Sequence, residues 1–140
     1  MKRMLFLMGM VFMAACTAVA QDAFTGKWIA EVTESTTHCE RIGKDLLGEY
    51  HLTFSLKGTE LTLQGERDDV TYHGILNPAD PLKAHVQATY NEDGGYVTEL
   101  VDIAFSEDGA SGQGGVTWRW SDGLHQCGGS FLFILKRPEE

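Results

Sequence analysis

Val97, Glu99, Val101, Ile103 and Phe105 alternate along the chain, so they fall on one face of an extended strand, and Glu99 is the single acidic member of that apolar series. Charges are seldom buried without a partner. Two roles are open to this carboxylate: it anchors the amine or hydroxyl of a ligand, or it sits at a rim in water or bonded to Tyr90. Counting back from the glycine-rich stretch at 107–115 sets Glu99 opposite Trp120 or its neighbour, with Tyr90 on the other flanking strand. Tyr72, Tyr90, Glu99, Trp118 and Trp120 are therefore the candidate ligand-binding residues.

A second group has metal-binding chemistry. His38 precedes Cys39 and His125 lies two residues before Cys127. If the cysteines are joined, the two imidazoles approach each other with Glu40 and Asp122 nearby, a donor set suited to zinc or copper. No compact Cys-x-x-Cys or His-x-x-x-His unit supports that use, and ordinary rim histidines are the simpler reading of His38 and His125. His73 and His85 are a further pair that neighbouring strands would bring together on an outer face. For catalysis the chain offers no Gly-x-Ser-x-Gly elbow, no His-Glu-x-x-His and no phosphate loop. Neither an enzyme nor a cofactor is expected.

The N-terminus bears on the compartment. Lys2 and Arg3 start it, an apolar stretch over 4–15 follows that is too short to span a bilayer, and Ala18-Val19-Ala20 has small residues at signal-peptidase spacing. Residues 1–20 read as an export signal, leaving 21–140 as a single domain. Met13-Ala14-Ala15-Cys16 offers a second reading, since it resembles a bacterial lipobox in which Cys16 would carry a lipid anchor. The expected location is the periplasm, or the outer membrane if Cys16 is lipidated. In either case Cys39 and Cys127 remain, and two cysteines in an exported chain most simply form a disulfide.

With 11 Lys and Arg against 20 Asp and Glu the net charge is −9. That field repels phosphate backbones and anionic lipid, so nucleic acid is not expected as a partner and membrane contact is expected only through Cys16.

The elements that must hold these groups are strands. Alternating runs occur at 26–33, 50–57, 59–63, 70–76, 84–90, 97–105, 116–120 and 131–137, separated by turn signals such as Lys57-Gly58-Thr59, Asn77-Pro78-Ala79-Asp80-Pro81 and Asn91-Glu92-Asp93-Gly94-Gly95. Only 35–49 lacks strand character, and there Ile42, Leu46 and Leu47 would line a short helix or loop ended by Gly48. An even number of strands in sequential order brings the end of the first and the start of the last to one rim, where Cys39 and Cys127 can meet. The expected fold is all-β: an up-and-down antiparallel barrel of about eight strands. A two-sheet sandwich is the competing arrangement, but it needs a long crossover that only 35–49 could supply.

Gly26-Lys27-Trp28 on the first strand, the wide first connection, the meander of hairpins and Lys136-Arg137 on the last strand resemble the lipocalin and calycin pattern. The absence of a helix after the barrel is closer to avidin-like barrels. The resemblance implies that Trp28 plugs a closed base beneath Arg137. It also implies a role in binding a small hydrophobic or aromatic molecule at the opposite mouth, ringed by Tyr90, Glu99 and Trp120.

Two alternatives remain at this stage. Ten inward aromatic residues could fill the barrel and leave it a packed scaffold. The chain could instead be a protein-interaction module, such as a periplasmic enzyme inhibitor, using an outward apolar patch of Ile29, Leu132 and Ile134. Coverage of that patch by Ile42, Leu46 and Leu47 is the expectation. A bare patch over a packed interior would favour the module, and a cavity open at the disulfide rim would favour the carrier.

Overall fold

The computed structural model describes residues 24–65 and 69–139, so residues 1–20, expected to be an export signal, and Cys16 within them lie outside the described residues. Eight strands follow in order: β1 (Gly26–Thr37), β2 (Gly48–Lys57), β3 (Glu60–Gly65), β4 (Thr71–Asn77), β5 (Asp80–Glu92), β6 (Gly95–Phe105), β7 (Ser111–Ser121) and β8 (Gln126–Lys136). Each pairs antiparallel with the next, and β1 pairs with β8 to close the barrel. The closing ladder runs from Ile29 opposite Lys136 to Thr37 opposite Gly129. Sandwich packing is thereby ruled out for these strands.

Several boundaries differ from the sequence reading, β5 beginning at Asp80 and β8 at Gln126 among them, and three differences have a clear physical reason. β1 continues to Thr37 instead of ending near Thr33, because its register shifts between Val32 and Glu34. The extra residue of such a bulge inverts the inward–outward alternation, so the apolar period is lost while the hydrogen-bonded ladder goes on. β7 begins at Ser111 and includes Gly112, Gly114 and Gly115, where composition suggested a turn. Pairing on both sides, with β6 and β8, outweighs the weak strand preference of glycine. Residues 38–47 form no helix. Gly43 at φ 75° and Asp45 at φ 57° break helical geometry there, and Gly48 opens β2 instead of ending a helix.

The interior is divided along the barrel axis. At the end where β1 begins, Trp28, Phe54 and Phe105 meet with ring centroids 5.7–6.0 Å apart, and Phe24 stacks on Phe105 at 4.4 Å. Leu61, Leu76 and Leu135 complete this packed base. The Trp28 indole donates to the Phe24 carbonyl at 3.0 Å. Arg137 covers the ring from outside, its guanidinium carbon 3.8 Å from the centroid, and its Nη1 donates to the carbonyls of Thr25 and Lys27 at 3.0 Å each. The opposite end carries the Cys39–Cys127 disulfide, which joins positions 88 apart in sequence with Cα atoms 5.3 Å apart.

Candidate functional site

The mouth half of the barrel is hollow. A cavity of about 860 Å³ enters between residues 41–46, 69–72 and 89–92 and descends as far as Phe54, Leu63, Ile103 and Phe133. Its existence follows from how side-chain volume is distributed. Large rings occupy the base, whereas inward positions higher up are often small: Ala30 and Val32 on β1, Gly65 on β3, Val97 and Val101 on β6, and Val116 on β7. Among the aromatic residues that reach this half, Tyr50, Tyr72, Tyr90, Trp118 and Phe131 stand in the wall.

Glu99 lies within this wall, not at the rim in water. Its residue exposure is 5 %, and it is the single buried charged residue among the described ones. The β6 register sets it opposite Trp118 of β7 and Ala88 of β5. The phenol of Tyr72 donates a hydrogen bond to Glu99 Oε2. This pairing spans 27 positions and connects β4 to β6 past the intervening β5, so no local period announces it. Tyr90 lines the same cavity but stands opposite Val97.

The expected ring of Tyr90, Glu99 and Trp120 is thus corrected in part. Trp120 is also opposite Val97, its indole donates to the Glu92 carbonyl at 2.7 Å, and it is not among the cavity-lining residues. Trp118 takes its place. The Trp118 Nε1 is buried and has no hydrogen-bond partner among the described residues. An orphaned buried donor costs about 1–3 kcal/mol.

Above Trp118 lies the connection 38–47, which folds over the mouth as a strap. The disulfide fixes one end of it to β8. Thr37 Oγ1 donates to the Ile42 carbonyl at 2.8 Å, Tyr50 donates to the Leu46 carbonyl at 2.7 Å, and Arg41 meets Asp93 of the opposite hairpin at 3.3 Å. Two glycines let the strap and β8 approach the indole. A Cβ at Gly43 or Gly129 would overlap the Trp118 ring, and Gly43 also has the positive φ of a tight turn. Ile42 packs against the core at the mouth. Ile42 directly before Gly43 is the sequence signal that could have located the strap.

Because the strap serves the mouth, it does not cover the outer patch. Leu132 is 50 % exposed and Ile134 42 % exposed, with Ile29 half-buried, which corrects the expected coverage by Ile42, Leu46 and Leu47.

The histidines stay apart from this site. His125 lies 3.4 Å from Asp122, while His38 is exposed, and among the described residues no three His, Cys, Asp or Glu side chains gather as a metal site. His85 bonds Asp102 at 3.0 Å, and His73 stands opposite Gln87, so these two do not form the expected direct pair. At the β7–β8 turn, the backbone N–H groups of His125 and Leu124 hold the Asp122 carboxyl below its ordinary value. This orders the turn beside the disulfide.

Comparison with family models, curated proteins and solved structures finds no match to this chain.

Proposed function

We propose that this chain is an exported, lipocalin-like carrier that receives a small hydrophobic or aromatic molecule in the mouth half of its barrel. The observation that carries this reading is the cavity of about 860 Å³ beneath the strap, open at the disulfide end. Its size falls within the roughly 300–1,000 Å³ of small-molecule pockets, and its wall combines apolar and aromatic groups with a few polar ones. The paired cysteines suit an oxidising compartment and support export. The exposed Leu132 and Ile134 favour a protein-interaction role as second reading. The hollow interior gives the carrier reading the stronger support.

The test is titration with N-phenyl-1-naphthylamine, a weakly basic probe that is uncharged at neutral pH and brightens in apolar surroundings. Binding to the parent is expected, together with its loss in Val101→Phe. Val101 lines the cavity, so an added ring should occupy free space without lowering the melting temperature. A clearly destabilised Val101→Phe, as overpacking of a filled core would give, together with no probe binding to the parent, would refute the proposal.

A further inference from the structure

We propose that the outer groove between Ile75 on β4 and Leu132 and Ile134 on β8 is a docking site for a basic amphipathic helix of a partner protein. The surface lies outside the barrel, so this inference does not depend on the carrier reading.

Strand register builds the groove. Ile75, His85, Asp102, Gly115, Leu132 and Glu34 follow one another as successive ladder partners from β4 round to β1, and Glu60 on β3 extends the row beyond Ile75. Every side chain in it is exposed on the outer face. In the adjoining row Ile134 is opposite Gln113, and Gln113 is opposite Ala104. Large apolar side chains thus wall a depression of about 850 Å³ across strands that present small or polar groups. Gly115 leaves a gap in the row for a different reason from its neighbour. A Cβ at Gly114 would overlap the Phe133 ring, whereas one at Gly115 would come closest to the tip of Leu132, at 3.3 Å, and no positive φ calls for glycine there. A strand glycine that neither backbone nor core requires suits the close approach of another chain.

Charge selects the partner. The lysines of this face are engaged, Lys83 with Asp80 at 3.8 Å and Lys136 with Glu49 at 2.8 Å and Glu31 at 3.7 Å. Glu34 and Glu60, at the two ends of the row, are exposed and have no ion pair among the described residues. The Asp102 side chain is 85 % exposed beside His85. Carboxylates therefore flank the apolar walls of a chain of net charge −9, a pattern complementary to apolar residues bordered by Lys and Arg. Closure of the barrel sets the partner's conformation. No free edge exists among the paired strands on which an extended segment could add itself by backbone bonds. A helix satisfies its own backbone, and its width of about 10–12 Å fits between walls four strand spacings apart, roughly 19 Å along the sheet.

Fluorescence anisotropy at low salt tests the assignment with three labelled peptides: an amphipathic helix of leucine and lysine, a scrambled peptide of the same composition, and an amphipathic helix of leucine and glutamate. The lysine helix is expected to bind, the scrambled peptide about tenfold more weakly, and the glutamate helix not measurably. Leu132→Ser/Ile134→Ser is expected to weaken the lysine helix about tenfold or more, and Glu34→Gln/Glu60→Gln about three- to tenfold with a shallower salt dependence. All four replaced side chains are exposed, so the melting temperature should hold. Equal binding of the lysine helix and its scrambled counterpart, or unchanged affinity in both variants, would overturn the proposal. So would a parent that sediments as a dimer while Leu132→Ser/Ile134→Ser sediments as a monomer, since a second copy would then be the occupant. Retention of the parent, but not of that variant, on phosphatidylcholine vesicles would assign the face to lipid instead and equally overturn it. If a variant fails to fold, the ranking of the three peptides on the parent decides alone. Loss of N-phenyl-1-naphthylamine binding bears only on the carrier reading.

Discussion

Replacing both Cys39 and Cys127 with serine separates what closes the barrel from what pins its mouth. The bridge joins positions 88 apart, and the chain-entropy relation for a loop of that length gives about 4.6 kcal/mol of stabilisation through the unfolded state. Against the ordinary 5–15 kcal/mol of a domain this is a large share. The strap regains motion in the variant, which offsets part of the loss, so about 3–4.5 kcal/mol is expected. The barrel itself should persist, because the β1–β8 ladder from Ile29 to Thr37 closes it without help from the sulfurs. Urea denaturation followed by far-UV circular dichroism and by tryptophan fluorescence measures both quantities. The midpoint should fall with the strand signal intact at zero urea. The slope should rise, since an unbridged unfolded chain exposes more surface. A loss under about 1 kcal/mol would refute the entropic reasoning. Disappearance of the strand signal without urea would show that the sulfurs, not the ladder, hold the first and last strands together.

Three further outcomes follow from the geometry. Arg137→Ala removes the cation above Trp28 and the donors to the Thr25 and Lys27 carbonyls, and should cost about 2–3 kcal/mol in chemical denaturation, with Arg137→Lys recovering only part. Gly129→Ala puts a methyl group into the Trp118 ring and the Thr36 carbonyl, and should lower stability by about 2–4 kcal/mol and shift the tryptophan emission; an unchanged melting curve would mean that the ring is not clasped there. The Asp108 and Asp122 carboxyls are held below 3.8, the first by the Ser106 hydroxyl and the Ala110 N–H, the second by the His125 and Leu124 N–H groups. Lowered values mean stability that is present above the ordinary carboxylate range and lost as the pH falls through the lowered ones. The difference in melting temperature between the parent and an Asp108→Asn/Asp122→Asn variant should therefore shrink as the pH falls below the ordinary carboxylate range.

Much of this molecule is set by local pattern. Alternation with period two is a property of neighbouring residues, so the inward faces of β5 and β6 and the turns at Asn77 and Asp93 could be read before any contact was known, whereas the placing of Trp28 beneath Arg137 is what the resemblance to the lipocalin pattern implies. Parity did the rest: eight antiparallel strands in sequence return the chain to where it began, which brings Cys39 beside Cys127. Other features answer to sums over distant parts of the chain. The bulge after Val32 depends on how β1 must bend to meet β8, and it reverses the alternation that a reader of β1 alone would extend or abandon. Tyr72 meets Glu99 only because the barrel sets β4 and β6 on either side of β5. Ten aromatic side chains expected to face inward could fill a barrel, yet Trp28, Phe54 and Phe105 gather at the base, and the small residues in the mouth half leave space that no single strand reveals. The list of inward residues is local, but whether they fill a volume depends on where along the barrel axis each strand's register sets them.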